Sequence, residues 1–550
     1  MNTSASRDVT PAARRSWWPW LWWALTALVL FGAAATTTVF LAPSLIGEGR
    51  DSGVYGYGGM VLARGGVMYV DVWDNKLPGI HFINALSFLV FGVGRWALWW
   101  GDVIVVWLAA LALHWLVRAA YSLRWLAWIV SLAFLFFAHT PALIFDTDFT
   151  EVYALLPQVL AFTFGFQFLR QPRARWTFLV GLSAAVALII KQSTVGFAPA
   201  YVLAILLAGP SVRDSAQRWR ALGATILGGV TGLGVLAIYL LVHGVLDTAI
   251  VAGFISPGEF HHWVGAVPFL ETVEQTFTES KVTRVYGPLG LVLVPGALAA
   301  GWWSLRRPYA APVDGARATL ALWACITFLF DLVLVNPTGR GASHGYEHYY
   351  ITLIPALMLV LAAGFAALTR VPWLPVWARV LIVLAAVGWV GWWTASDPLD
   401  VTYRRLDTAD WKVDRPAIEG GLARYVRTNT QPGDTVLDWG ASPYINFQSQ
   451  RLSPTKYFYA YGLLVPNEDS EARIADMVRE LDAVPPVMII DTTVYDGVRV
   501  PPIDATTRAW WWDRGGRRDV ADLSPFYDWV AAHCTYSTTV GEAAVYLCGS

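Results

Sequence analysis

The chain has 550 residues and a formal net charge of -1, from 39 Lys and Arg against 40 Asp and Glu. Charged residues make up 14% and hydrophobic residues 56%, whereas a soluble domain carries about 25% charged residues. This deficit, with apolar runs long enough to cross a bilayer, points to a polytopic membrane protein. The balanced charge excludes the basic surface that a nucleic-acid partner requires.

Arg7, Arg14 and Arg15 precede an apolar run from Trp17 to about Pro43. That run is too long for a signal-peptide core, so it reads as an uncleaved first span with a cytoplasmic N-terminus. Asp51 to Pro78 follows, DSGVYGYGGMVLARGGVMYVDVWDNKLP. It concentrates Asp51, Asp71, Asp74 and Lys76 in a chain otherwise poor in charge. Further apolar segments run at roughly 79–94, 96–117, 124–141, 151–169, 176–190, 194–208, 221–246, 287–305, 317–335, 349–369 and 373–395. Long polar interruptions fall at 45–78, 247–286 and 396–550, with no Gly/Ser linker and no internal repeat.

The positive-inside rule assigns sides. Arg170 to Arg175, the loop with Arg213, Arg218 and Arg220, Arg306-Arg307, and Arg370 to Arg379 are expected in the cytoplasm. Loops 142–150, 191–193, 247–286 and 336–348 then face outward with the C-terminal region. A parity problem remains. Loops 45–78 and 142–150 both fall outside, yet three apolar segments separate them. Segment 79–94 is short of the roughly 20 residues a span needs. It is therefore expected to be re-entrant, or one bent unit with its neighbour, giving roughly 11 to 13 crossings in all.

Residues 1–395 thus form the transmembrane part and 396–550 a small extracytoplasmic α/β domain. Thr435 to Asp438 and Val487 to Asp491 read as buried strands, with a helix over Ser470 to Leu481 and a short one ending near Arg424 to Thr428. Cys325 lies in an apolar segment and reads as inert packing. Cys534 and Cys548 could pair in an oxidising compartment, closing a loop of roughly 15 residues worth about 3 kcal/mol, or stay as free thiols.

The outward span ends gather the candidate chemistry. Beside the four charged groups of 51–78 stand Asp146, Asp148 and Glu151, then Lys191, then Arg340, His344, Glu347, His348 and Tyr349. Carboxylates can deprotonate a hydroxyl or hold a divalent cation, and cations can neutralise a departing phosphate. Each group also has a plainer reading. Lys76 and Lys191 can snorkel to the interface, and Asp146 or Asp148 can cap the following helix. Asp71 and Asp74 can form turns in VDVWDNKLPG. His261 and His262 can be interfacial residues without a ligand.

Several stretches resemble the GT-C superfamily of polyprenyl-phosphate-sugar-dependent membrane glycosyltransferases, in the branch of the protein O-mannosyltransferases and aminoarabinose transferases. They are Asp51-Ser52, the helix-like GVYGYGGMVLARGG, Tyr69 to Pro78, Thr150-Glu151, Lys191 after ALII, and His348-Tyr-Tyr-Ile-Thr-Leu-Ile-Pro355. The resemblance implies a GT-C fold of transmembrane helices with the small α/β domain. It makes Asp51 the catalytic base, with Glu151 and Asp148 as second-loop acids. Lys76 and Lys191 would hold the donor phosphate, with His348, Tyr349 and Arg340 beside them. Asp71, Asp74 and Asp146 would serve the acceptor or the structure.

A divalent cation (Mg or Mn), if present, would sit on Asp51 and Asp148. The implied partners are a polyprenyl-phosphate-sugar donor, an extracytoplasmic acceptor and the bilayer of the cell membrane. The chain departs from the pattern at Ser52, where a second acid is usual. It departs again at Val54, where some relatives carry an arginine, and at Leu77, where the pattern has a proline. A lipid-linked sugar transporter and a non-catalytic subunit are the alternative readings.

Overall fold

The computed structural model describes residues 18–47, 49–207, 215–263, 312–335, 347–369, 420–495 and 499–549, with isolated positions at 271, 375–378, 380–381, 384, 388, 401 and 404. Segment 287–305, most of 373–395, Arg340 and His344 lie outside the described residues.

The apolar runs fold as helices because nothing else satisfies the backbone in lipid. They are α1 (Trp18–Thr38), α2 (Arg50–Ala63), α3 (Gly79–Phe91), α4 (Arg95–Tyr121), α5 (Arg124–Ala138), α6 (Thr150–Arg170), α7 (Ala174–Ile190), α8 (Phe197–Leu207) and α9 (Ser215–Val242). α10 (Leu246–Ile250) and α11 (Ser256–Trp263) are joined by a π-helical turn, Val251–Ile255. α12 (Pro312–Val335) and α13 (Ile354–Leu368) follow, the latter entered through a 3-10 turn at Glu347–Leu353. Among the described residues, six helices are long and apolar enough to cross a membrane, and four shorter apolar ones accompany them. The chain is a multi-pass membrane protein. Residues on α9 such as Ile226, Val230, Val235 and Val242 are exposed, as suits a helix facing acyl chains.

The parity problem resolves at α3. The Trp99 and Trp107 indoles of α4 donate to the carbonyls of Thr38 (3.0 Å) and Ala27 (2.8 Å) on α1, so the two helices run antiparallel. Arg95, opening α4, donates to the carbonyls of Ile46 (2.9 Å) and Gly47 (3.0 Å), just past the end of α1. α4 therefore starts at the end of the bundle where α1 finishes, and α5 returns to it. α3, of 13 residues, packs along Gly58 and Gly59 of α2 and stays at that same end. The hydrogen bond from Ser52 to Asp146 (2.7 Å) brings the second polar loop there too, so only α4 and α5 separate the two loops.

In the C-terminal region, α14 (Gly421–Asn429), β1 (Val436–Trp439), α15 (Tyr444–Ser449), α16 (Glu468–Ala483), β2 (Met488–Asp491), α17 (Ala505–Asp513), α18 (Ser524–His533), β3 (Cys534–Val540) and β4 (Ala543–Cys548) build a four-stranded sheet. The order is β1-β2-β4-β3, with β1 and β2 parallel and the rest antiparallel. Two strands and the helix between them fall where the sequence places them. The β3–β4 hairpin is additional, and Cys534 and Cys548 form a disulfide across it. The sheet does not stand alone. Trp439, Phe447, Phe458 and Phe526 share one core with Tyr55, Tyr57 and Met60 of α2 and Phe88 of α3.

Candidate active site

α2 is the element that places the site. Its residues from Ser52 to Val61 are all buried, because α3 lies on one side and α15 on the other. The glycines allow this. A Cβ on Gly53 would stand 2.7 Å from the backbone nitrogen of Tyr444, and one on Gly58 would overlap the His81 ring. What reads as a polar loop is thus a sandwiched helix with Asp51 in its first turn, where the helix dipole favours a carboxylate.

Asp51 is half-buried and makes no hydrogen bond or ion pair with another described residue. One turn on, the Tyr55 hydroxyl likewise makes no hydrogen bond with another described residue. Burial lifts that phenol well above its usual range, and the negative charges of Asp51, Asp74 and Glu151 lift it further. Three acids from three segments therefore act on one phenol. Lys76 lies over the same ring, 4.9 Å from its centre, and makes no ion pair with another described residue, though it acts electrostatically on Asp74. The His81 ring meets it edge-on at 5.8 Å.

The second cation closes the opposite wall. Lys191 caps the end of α7, pairs with Glu151 in the first turn of α6, and lies 3.7 Å over the Tyr349 ring. The Thr150 hydroxyl donates to the other Glu151 oxygen at 2.9 Å. His348 is buried and stacks on Phe149 at 4.3 Å. Glu151, Lys191, Asp51 and Lys76 all act electrostatically on its ring. The structure thus brings Asp51, Lys76, Glu151, Lys191, His348 and Tyr349 together at one end of the bundle.

Other candidates take different places. Asp71 is exposed and closes a turn, accepting the Val67 N–H at 2.7 Å. Asp74 does far more than turn the chain. It is fully buried and joins three segments, accepting from the Asn75 N–H (2.8 Å) and the Tyr459 hydroxyl (2.7 Å) and meeting His81 Nε2 at 3.0 Å. Burial opposes its charge, but Lys76, His81 and Tyr459 outweigh that and hold its carboxyl well below the usual range.

Asp146 accepts a hydrogen bond from the Ser52 hydroxyl at 2.7 Å. A carboxylate therefore does stand against position 52, supplied by the second loop. Burial raises Asp146 to about 6, against the lowering effects of Ser52 and Arg95. Asp148 is fully buried in a left-handed conformation, φ 70°. Its carboxylate takes the Asn84 amide at 2.6 Å and its N–H donates to Asp102 at 3.1 Å. Burial lifts its carboxyl far above the ordinary range, and the nearby Asp102 and Asp146 add to this.

The sequence reading missed Tyr55, His81, Asn84, Asp102 and Tyr459. Tyr55 carried a signal, since it sits four residues after Asp51 and so shares its helix face. Tyr459 carried none, lying 385 residues from its partner Asp74. Separately, a cavity of about 510 Å³ opens near the C-terminal end of α2, lined among others by Arg64, Asp71, Ser453, Lys456 and Glu480.

A helical bundle whose first polar loop folds as two short helices beneath a C-terminal sheet is a fold of the GT-C type. Solved structures of that architecture match over nearly the whole chain. The structure of ArnT from Cupriavidus metallidurans bound to undecaprenyl phosphate has a TM-score of 0.51 at 14% identity, covering 96% of this chain and 98% of that one. The same protein in the apo state gives 0.53 at 14% identity, covering 96% and 97%. No family model matches the chain, and no curated protein matches it.

Proposed function

We propose that the chain is an integral membrane glycosyltransferase. It takes a sugar from a polyprenyl-phosphate monosaccharide and gives it to a hydroxyl of an acceptor outside the cytoplasm, whether glycan, lipid or protein. One observation carries the reading. At one end of a GT-C bundle Asp51, a carboxylate with no hydrogen bond or ion pair among the described residues, shares a site with two lysines from different segments, Lys76 and Lys191. The undecaprenyl phosphate bound to the ArnT neighbour supports a polyprenyl phosphate as the lipid.

In this mechanism Asp51 accepts the proton of the acceptor hydroxyl. The freed oxygen forms a bond to the anomeric carbon as the bond from that carbon to the phosphate oxygen breaks. Attack from the face opposite the phosphate inverts the configuration. The polyprenyl phosphate leaves with both electrons of the broken bond, and Lys76 and Lys191 neutralise it. Lys191 shares its charge between its ion-pair partner Glu151 and the phosphate, whereas Lys76 feels Asp74 electrostatically but makes no ion pair with another described residue. His348 and Tyr349 flank that lysine. Asp51 then returns its proton to water. A positioned base of this kind is worth about 10²–10⁴ in rate.

No step runs through a divalent cation. Asp148, its expected second ligand, gives its carboxylate to Asn84 and is packed against Asp102. Among the described residues no cluster of three His, Cys, Asp or Glu side chains is arranged to hold a metal. The chain's arginine-rich loops support a cytoplasmic N-terminus. The Cys534–Cys548 disulfide supports an oxidising, extracytoplasmic setting for a domain of residues 396–550.

The test uses proteoliposomes, a donor labelled in its sugar, and envelope extract as the acceptor source. Release of polyprenyl phosphate with label in a new product is expected. Asp51→Asn should lower the rate by about 10²–10⁴. Movement of intact donor across the bilayer without release would establish a flippase instead. Transfer that survives Asp51→Asn at the wild-type rate would remove Asp51 as the base.

A further inference from the structure

Besides packing on α2, the C-terminal region reaches the site at a buried polar contact. The segment from Lys456 to Gly462 runs along Trp73 and Asp74. The Trp73 N–H donates to the Lys456 carbonyl at 2.9 Å, and the Arg473 guanidinium covers the Trp73 ring at 4.8 Å. The Tyr459 hydroxyl then reaches Asp74 at 2.7 Å, where Asp74 also meets His81 at 3.0 Å. The Asp74 and His81 side chains are both 0% exposed. Each of the three belongs to a different segment, so none can shift alone.

The trio leads directly to the cation. Asp74 Oδ1 also accepts the Asn75 N–H at 2.8 Å, one residue before Lys76. The Tyr69 hydroxyl donates to the Lys76 carbonyl at 2.5 Å, fixing the backbone from the other side. His81 packs on Tyr55, the ring over which the Lys76 ammonium rests. The lysine is thus held at its backbone by Asp74 and Tyr69, and at its tip by a ring that His81 supports. A flexible lysine otherwise loses rotamer entropy when it is fixed on a ligand. A buried, charge-assisted network removes part of that cost beforehand.

We propose that Tyr459, acting through Asp74 and His81, is a positioning residue for the phosphate-binding lysine Lys76, so that the C-terminal region is a working part of the phosphate site. This rests on the proposed function and deepens it. Tyr459 touches no substrate. Its hydroxyl orients one carboxylate, and that carboxylate orients the loop that carries the cation.

The experiment measures binding of undecaprenyl phosphate to the detergent-solubilised full chain, with inorganic phosphate as competitor, for wild type, Tyr459→Phe, Lys76→Ala and the double variant. Tyr459→Phe keeps the ring and loses only the hydroxyl. It should weaken binding about tenfold, the scale of one hydrogen bond to a charged group. The double variant should bind no worse than Lys76→Ala alone, because the tyrosine acts only through the lysine. A merely structural role would weaken binding equally with and without Lys76. If Tyr459→Phe does not fold, Asp74→Asn carries the same comparison, since it keeps the shape and removes the charge. Wild-type binding that Tyr459→Phe leaves intact, or losses that add in the double variant, overturn the proposal. Absence of undecaprenyl phosphate binding by the wild type overturns the proposed function itself. Competition by inorganic phosphate as effective as that by the lipid would make the site one for free phosphate and overturn the lipid assignment.

Discussion

Two buried carboxylates that pair with the same short helix, Asp74 with His81 and Asp148 with Asn84 of α3, behave in opposite ways. Around Asp74 the supply of positive charge and donors exceeds demand. Lys76, His81, the Tyr459 hydroxyl and the Asn75 N–H all serve one carboxylate, which stays ionised despite complete burial. Around Asp148 the balance is reversed. Asp102 and Asp146 stand near it, its amide partner is the neutral Asn84, and it is driven toward its protonated form. One Oδ1 on each of Asp102 and Asp148 is buried without a hydrogen bond. Burial costs a carboxylate its hydration in both places, so the partners alone decide the charge. An acid in a polar loop between spans is therefore no evidence of a catalytic acid until its neighbours are known.

The largest difference should appear on removing the carboxylates. Asp74→Ala leaves His81 and the Tyr459 hydroxyl buried without their acceptor and Lys76 without its counter-charge. Breaking a buried pair in this way costs about 3–5 kcal/mol, and thermal unfolding in detergent should show a fall of that size. A variant as stable as wild type would mean that the Asp74 hub holds nothing in place.

The pair of Lys191 and Glu151 separates stability from binding. Lys191→Met strips the charge partner from a buried Glu151, so it should lower the melting temperature and weaken undecaprenyl phosphate binding about tenfold or more. Glu151→Gln frees the lysine from its competitor. It should leave binding equal to wild type or tighter, as read by the same titration. Weaker binding in Glu151→Gln would make the glutamate a direct contributor rather than a counter-ion.

Asp146 gives the comparison a pH axis. Its folded-state value of about 6 lies above the ordinary 3.8. The folded protein then holds a proton the unfolded chain has released, so this contribution is present at low pH and is lost as pH rises from about 4 through 6. The shift corresponds to roughly 3 kcal/mol at most. Asp74 has the opposite sign, and its contribution is lost only as pH falls below the ordinary carboxylate range. Asp146→Asn should flatten the decline in melting temperature between pH 4 and 6 while leaving the acid limb in place. A decline that persists unchanged would assign it to other groups.

Much of this architecture was legible because hydropathy dictates it. The runs that became α4, α6, α9 and α12 are continuous and long, and lipid admits only helices there. The strands TVLD and VMIID announced themselves as short apolar runs between turns. The β3–β4 hairpin did not, because CTYSTTV is polar and mostly exposed. It is recognisable mainly from Gly541, at φ 62°, in its turn. The count of crossings stalled on α3, whose composition says membrane while its 13 residues say otherwise. At the site, Asp51, Lys76, Glu151 and Lys191 could be gathered because sidedness alone puts them on one face. The roles of Asp74 and Asp148 were not legible. One depends on Tyr459, far away in the chain, and the other on Asp102, hidden inside a span.

The smallest effect should come from the other group, and it is the most discriminating. If Asp148 is protonated in the folded protein, Asp148→Asn replaces one neutral side chain by another of the same shape. Its oxygen can still face a donor, and the new amide can serve Asp102, whose Oδ1 has no partner. Stability should change by less than about 1 kcal/mol, or rise, as happens when a buried group without a counter-charge is replaced by a neutral isostere. Transfer should stay within a few-fold of wild type, in contrast to Asp51→Asn. The backbone at Asp148 favours the change, because asparagine tolerates the left-handed conformation at least as well as aspartate. A loss of transfer comparable to that of Asp51→Asn, with the melting temperature unchanged, would return Asp148 to the chemistry. It would also mean that its proton is shared with the reaction rather than locked in the core.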